Sequence, residues 1–430
     1  MGYFFQDIAS FIFVLLILLS IQLYLRIKNP TLFYFSNLFI FWSVSYLFIV
    51  HFISLNMGRE GFSIFVKNDL VDDRLYYETA KLMAKQLLSF GQVLPEEIAS
   101  FQTSMFGYSS GKSLYFSALA MPIYLVLPNA GTLAFKAMNL VFFCVPLILL
   151  TRKLLEKKHN NSQSSFISWY VFLFVIFICF YPTLFIRLVQ IEKDTFLLFL
   201  FMFGFLIIFD YANEEMENIQ HLYVLLIVFA LLFYRPQFAL AIFLTYFYLL
   251  VLRVKTWKWF FFYLALLIAL IPLPLILLKS YSFQMFNLLV AIKSYSVLAG
   301  ATDVITVDYE SVFGIYKTVF VSLYYYFFAP ISIYAIKGSM LWKLMMAEPL
   351  LYFIIPLFVC LILCKQVKNG KKILIMAFML SIILALLSVY YESHIGSYMR
   401  KRLPLYVMWN FLCFYFVINK VQSEKSSCSL

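Results

Sequence analysis

Three aspartates fall within five positions in the run Asn68-Asp69-Leu70-Val71-Asp72-Asp73, which continues as Arg74-Leu75-Tyr76-Tyr77-Glu78-Thr79-Ala80-Lys81. A carboxylate held at the edge of a hydrophobic layer can take the proton from an attacking hydroxyl, so Asp72 and Asp73 are candidates for a general base. Asp72, Tyr76 and Ala80 are spaced four apart and would share one stripe of a helix. The same acids, with Asp69, suit an ordinary helix start, where carboxylates meet free backbone N–H groups and the positive end of the dipole. On that reading the helix lies on the membrane with Lys81 and Lys85 toward headgroups. Both readings are open at this level.

Other charges stand at the edges of apolar runs. Glu192-Lys193-Asp194 precedes one such run, either as a helix cap with a snorkelling lysine or as a second acid and cation over the same cavity. Arg235-Pro236 separates two apolar runs. Its guanidinium is either a headgroup anchor or a phosphate contact, since charge near lipid is costly and marks function. Arg400-Lys401-Arg402-Leu403-Pro404 opens the last apolar run. A guanidinium binds phosphate through a two-pronged fork, but the same cluster would be unremarkable in a cytoplasmic loop. The aspartates could also hold a divalent metal, although no ligand set is complete. No metal site is assigned to the four histidines or the six cysteines, and the cysteines in apolar runs read as packing.

The elements that position these residues follow from composition. The chain has 430 residues, 64% hydrophobic and 13% charged, against about a quarter charged in soluble domains. Lipid must be the solvent. The net charge of +12 is scattered through short loops, which fits a multi-pass membrane protein and not a nucleic-acid binder. Runs of about 20 apolar residues predict spans near 9–25, 33–55, 113–127, 133–151, 166–186, 194–211, 222–235, 237–252, 259–278, 311–336, 347–364, 373–391 and 403–419. The expected fold is an all-α polytopic bundle of about 11–13 transmembrane segments, one domain over 1–430. An external loop at 57–112 carries an amphipathic helix. A second lies at 280–346, with 311–336 interfacial or re-entrant.

Orientation follows from the densest basic loops, Arg26 with Lys28, Arg152 to Lys158, Arg253 to Lys258 and Lys365 to Lys372. Each is expected on the cytoplasmic side. The other ends, with Asp69, Asp72, Asp73, Lys193, Asp194, Arg235, Arg400 and Arg402, then face outward. This count requires either that the 113–127 run does not cross or that the 152–158 loop is external.

In this arrangement the chain resembles the GT-C superfamily of membrane glycosyltransferases. The resemblance is carried by Asp72-x-x-x-Tyr76-x-x-x-Ala80 in the first large external loop, Pro182 through Lys193-Asp194, and Arg400-x-Arg402-x-Pro404 before a final span. The stretch Tyr324 to Glu348, with Pro330 and Trp342, is similar to one in bacterial members. The resemblance implies a donor sugar on a polyprenyl phosphate, with Asp72 as base and Asp73 its near alternative. Arg235, Arg400, Arg402 and Lys193 would hold the donor phosphate, and Asp69, Tyr76, Asp194 and Glu348 would support the site. It also implies multi-pass residence in the inner (cytoplasmic) membrane, membrane lipid and lipid-linked sugar or oligosaccharide as partners, and a role in cell-envelope polysaccharide synthesis. Two other readings fit the chain: a repeat-unit polymerase of O-antigen or capsule, and a flippase or transporter for lipid-linked oligosaccharide. The last expects two related halves and charges at mid-helix.

Overall fold

The computed structural model describes residues 29–58, 62, 70–88, 111–156, 164–190, 194–214, 218–253, 320–328 except 322, 347–391 and 395–427, with single positions between 8 and 26. The described residues are helical apart from short turns at helix ends. Four of the helices are long and apolar enough to cross a membrane, or five if a bent pair is one span. The protein is membrane-embedded. Packing divides the chain into two compact units, the first holding residues 1–203, 233–235 and 421–430 and the second 204–232 and 236–420.

The first unit is built on α1 (Pro30–Asn56) and α4 (Thr132–Leu155). Pro30 starts α1 with its φ preset and no N–H to waste, and Asn29 Oδ1 accepts from the Leu32 amide at 3.0 Å. Phe185 sets the direction of the pair by touching Tyr46 of α1 and Phe143 of α4 (ring centroids 5.3 and 5.2 Å), while His51 feels the charge of Lys136. Higher numbers on one helix meet lower numbers on the other, so the two run antiparallel. Arg26, over the Phe33 ring, and the Arg152–Glu156 pair at 2.9 Å therefore mark one end, the basic end.

Between them lie α2 (Leu70–Leu88) and α3 (Gly111–Val126), packed on each other. At 16 residues α3 is short for the hydrocarbon layer, and it packs along the amphipathic α2, which favours the alternative in which the 113–127 run does not cross. Phe11 against Phe48 and Ser36 Oγ donating to Gln22 at 2.9 Å fit the expected first span running back along α1.

The expected 166–186 span is two helices, α5 (Ser164–Cys179) and α6 (Pro182–Val189), bent by 61°. Pro182 cannot donate the bond that would carry α5 onward, so the helix restarts there. Then comes α7 (Asp194–Ala212).

The second unit takes the rest of α7 with α8 (Asn218–Tyr234), α9 (Pro236–Arg253), α10 (Ile355–Leu363), α11 (Gly370–Tyr391) and α12 (Ile395–Ser427). Gly204 lets Ile242 of α9 approach closely; a Cβ there would sit 2.6 Å from its Cδ1. Phe205 and Phe209 of α7 pack on Phe411 of α12 at 5.7 and 5.3 Å. Glu214 and Asn369, both in the left-handed region, bring the turn after α7 against the Lys365–Lys372 loop. Lys372 Nζ reaches Glu214 at 2.6 Å and Asn369 Nδ2 donates to the Asn213 carbonyl at 3.3 Å. Leu222, Leu225, Leu226 and Phe229 of α8 stay exposed, as residues facing lipid do. The predicted span 259–278 and loop 280–310 lie outside the described residues, as does most of 311–336.

Candidate functional site

Asp72 and Asp73 are the third and fourth residues of α2. The expected stripe is the face this helix buries: Tyr76 and Ala80 are both buried, with Thr79 and Ala84 beside them. Small residues at 80 and 84 let α3 come close, and Ser117 Oγ of α3 donates to the Tyr76 carbonyl at 3.0 Å. Tyr77 ties the helix down at its other side. Its hydroxyl donates to the Ala130 carbonyl at 3.3 Å, just before α4, and accepts from Lys81 Nζ at 3.2 Å. Its ring meets Phe62 and Tyr124 edge-on at 5.7 and 5.8 Å. Phe62 in turn accepts from Ser54 Oγ of α1 at 2.5 Å. Thus the acid-bearing helix is fastened to the exit of α1 and the entry of α4, at the end of the unit opposite Arg26 and Arg152. Lys85 is exposed, and half-buried Lys81 donates to Tyr77 Oη.

The same end holds a set of buried polar groups. Lys136, just past the first turn of α4, is fully buried (0% exposed). Asn139, one turn on, donates from Nδ2 to the Gln190 carbonyl at 2.7 Å. The Gln190 side chain accepts from Arg187 Nη1 at 2.5 Å. Asp194 is buried and starts α7, where its carboxylate favours the helix dipole. Phe196, half a turn later, packs on Phe142 of α4 at 4.8 Å and on Tyr234 at 4.9 Å. That contact places Arg235, whose buried Nε has no hydrogen-bond partner, next to the head of α7. The unit therefore gathers α2 with Asp72 and Asp73, Asp194 and Arg235 at one end. Asp69 and Lys193 lie outside the described residues.

The second unit has its own buried charges. Lys401 and Arg402 (3% and 1% exposed) and Glu348 (1%) are all buried. The Arg402 guanidinium sits 5.0 Å from the Tyr406 ring centroid and donates from Nη1 to the Tyr326 carbonyl at 3.3 Å. Its Nη2 is buried without a hydrogen-bond partner. Glu348 and Arg402 both act on the Tyr406 phenol, so two of the expected residues share one cluster. Arg400 is half-buried beside them in sequence. The Arg-x-Arg-x-Pro segment was expected to precede the last span. It lies inside α12, which starts at Ile395 and runs through Pro404. A π turn, Leu350–Ile354, follows Glu348-Pro349 directly; such turns recur at functional positions.

Sequence reasoning missed Lys136, His51 and Asn139. The signal was present: Lys136 is the one charge in an otherwise apolar run from 132 to 151, and a charge inside a span marks function by default. Among the described residues no group of three or more His, Cys, Asp and Glu side chains stands close enough to hold a metal ion. No family model, curated protein or solved structure matches the chain.

Proposed function

We propose that the chain is an integral membrane glycosyltransferase that moves a sugar from a polyprenyl-phosphate donor to an acceptor at the outer face of the inner membrane, within a bundle of about 11–13 spans. The observation that supports it is the seating of α2, with Asp72 and Asp73 in its first turn, at the end of the first unit that also holds Lys136, Arg187, Asp194 and Arg235. An acid for proton transfer and cations for a phosphate then share the edge of the hydrocarbon layer. The buried charges of both units stand within about two turns of helix ends, which favours chemistry at the surface over a path through mid-membrane.

In the proposed reaction Asp72, or Asp73 beside it, takes the proton of the acceptor hydroxyl. The freed oxygen attacks the anomeric carbon. The bond from that carbon to the donor phosphate oxygen breaks, and the phosphate leaves with the electron pair on its polyprenyl chain. Arg235 and Lys193 would stabilise that charge as it forms. In the second unit, Arg400 and Arg402 are the residues to which the resemblance gives a phosphate role, and the Tyr326 carbonyl and the Tyr406 ring hold Arg402. The acceptor would be a cell-envelope glycan or lipid.

The test is transfer of label from a polyprenyl-phosphate hexose in membranes. Asp72→Asn or Asp73→Asn should lower the rate by about a hundredfold or more while the protein remains in the membrane. Full-rate transfer by both single variants would remove the base assignment.

A further inference from the structure

We propose that the foot of the α10–α11 hairpin seats an anionic phospholipid, with its headgroup on Lys365, Lys368 and Lys371 and its acyl chains along the apolar stripes of the two helices. This seat is at the far end of α10 from Glu348, and it does not rest on the transferase reading. Ile355, Phe358 and Ile362 of α10 follow one another at intervals of three and four and are all exposed. Lys365, also exposed, is three residues further on. On α11 the exposed residues Ile375, Ile382 and Leu386 form the matching stripe, and exposed Lys371 is one turn before Ile375. The opposite faces hold Cys360 on α10 and Met376 and Leu380 on α11, all buried. An apolar stripe left open on a membrane-embedded helix meets acyl chains. Each stripe therefore faces lipid and ends in a lysine.

The turn brings the two lysines together. A Cβ on Gly370 would lie 2.2 Å from the Cys364 carbonyl oxygen, so the two helix ends touch, and Lys365 and Lys371 are the residues next to that contact in the chain. Lys368 is exposed between them. No ion pair or hydrogen bond joins any of the three to a described residue. By contrast, Arg152 and Lys153 pair with Glu156 at 2.9 and 3.5 Å, Lys372 pairs with Glu214 at 2.6 Å, and Arg26 lies over the Phe33 ring. A basic excess on one side of a membrane orients the chain wherever in the loops the charges fall. It does not call for three unpaired lysines at the foot of two lipid-facing stripes. A phospholipid phosphate at this level meets three ammonium groups while its chains cover Phe358, Ile362 and Ile375, and lysine clusters beside a span draw anionic headgroups. A zwitterionic lipid brings its own cation to the same place and gains less.

The experiment is lipid binding to the purified full chain in a neutral maltoside detergent, followed by native mass spectrometry with dioleoyl phosphatidylglycerol or dioleoyl phosphatidylcholine added. The wild-type protein should bind its first phosphatidylglycerol about tenfold or more tighter than phosphatidylcholine, since each lysine near a headgroup contributes about fivefold and salt screens part of it. Lys365→Gln, Lys368→Gln and Lys371→Gln together should abolish that preference. Arg152→Gln with Lys153→Gln, at the basic end of the first unit, should keep it. No preference in the wild-type protein, a comparison that needs no variant, overturns the seat. A preference that survives the triple variant, or is lost in the Arg152 and Lys153 variant, overturns its location. Binding of sn-glycerol 3-phosphate as tight as that of phosphatidylglycerol overturns the lipid source, because the apolar stripes would then contribute nothing. Sugar transfer plays no part in this assay. Failure of the seat therefore leaves the transferase reading standing, and full-rate transfer by Asp72→Asn and Asp73→Asn leaves the seat standing.

Discussion

Tyr77 is the residue whose loss should most directly loosen the proposed base from its seat. Its side chain makes two edge-on ring contacts, at 5.7 Å to Phe62 and 5.8 Å to Tyr124. It also donates one hydrogen bond to Ala130 at 3.3 Å and carries the Lys81 ammonium 5.1 Å above its ring. Aromatic pairs contribute about 0.5–1.5 kcal/mol each. The net worth of a hydrogen bond is about 1 kcal/mol, and a partly exposed cation–π contact adds about 0.5–1 kcal/mol. Neighbouring terms do not add fully, so Tyr77→Ala should weaken the attachment of α2 by about 2–4 kcal/mol. Tyr77→Phe keeps the rings and should cost about 1 kcal/mol. The assay is hydrogen exchange of the α2 amides in nanodiscs. Protection should fall by about 30-fold or more in Tyr77→Ala and by about fivefold in Tyr77→Phe, with α4 unchanged. If α2 exchanges equally in wild type and Tyr77→Ala, the helix is not held by these contacts, and the positioning argument for Asp72 and Asp73 fails.

A Cβ at Gly370, where α11 begins, would collide with the backbone carbonyl of Cys364; backbone cannot yield as a side chain end can. Gly370→Ala should therefore lower the melting temperature by several degrees, about 2 kcal/mol or more, in a thermal-unfolding scan. The Lys372–Glu214 pair is half exposed on both sides, so Lys372→Ala should cost no more than about 0.5 kcal/mol in the same scan. Arg402 and Glu348 are both buried. The Arg402 guanidinium lies over the Tyr406 ring and donates to the Tyr326 carbonyl, so Arg402→Met should destabilise by about 2 kcal/mol in the same scan through the loss of both contacts.

The helices were legible because apolar runs of spanning length have few other solutions. The Asp72-Tyr76-Ala80 stripe was legible because helical spacing and the small residue at 80 point the same way. The bend at Pro182 was harder to read: Phe180-Tyr181-Pro182 lies inside a continuous apolar run, and a proline can kink a span without breaking it. The crossing of α3 was undecidable from sequence because its apolar face and its length fit either answer. The antiparallel contact of α1 with α4 and the packing of α3 along α2 favour the reading in which it does not cross. Lys136 was passed over because it stands alone in sequence. The buried polar groups at the same end, His51 on α1 and Gln190 after α6, are 85 and 54 residues away in sequence, and no local pattern connects them. Arg402 was expected at a helix entrance and lies two turns inside one, since the polar stretch before it continues the same helix.

Transfer at the outer face requires that the acid-bearing helix face outward. Lys85 on α2 and Glu156 at the end of α4 are both exposed and belong to opposite ends of the first unit. Single cysteines at these two positions, in a chain whose native cysteines are replaced, can be tested on intact cells with a membrane-impermeant thiol reagent. Labelling at position 85, with position 156 labelled only after the membrane is opened, is the predicted result. Labelling at 156 and protection at 85 would put Asp72 and Asp73 in the cytoplasm and contradict transfer at the outer face.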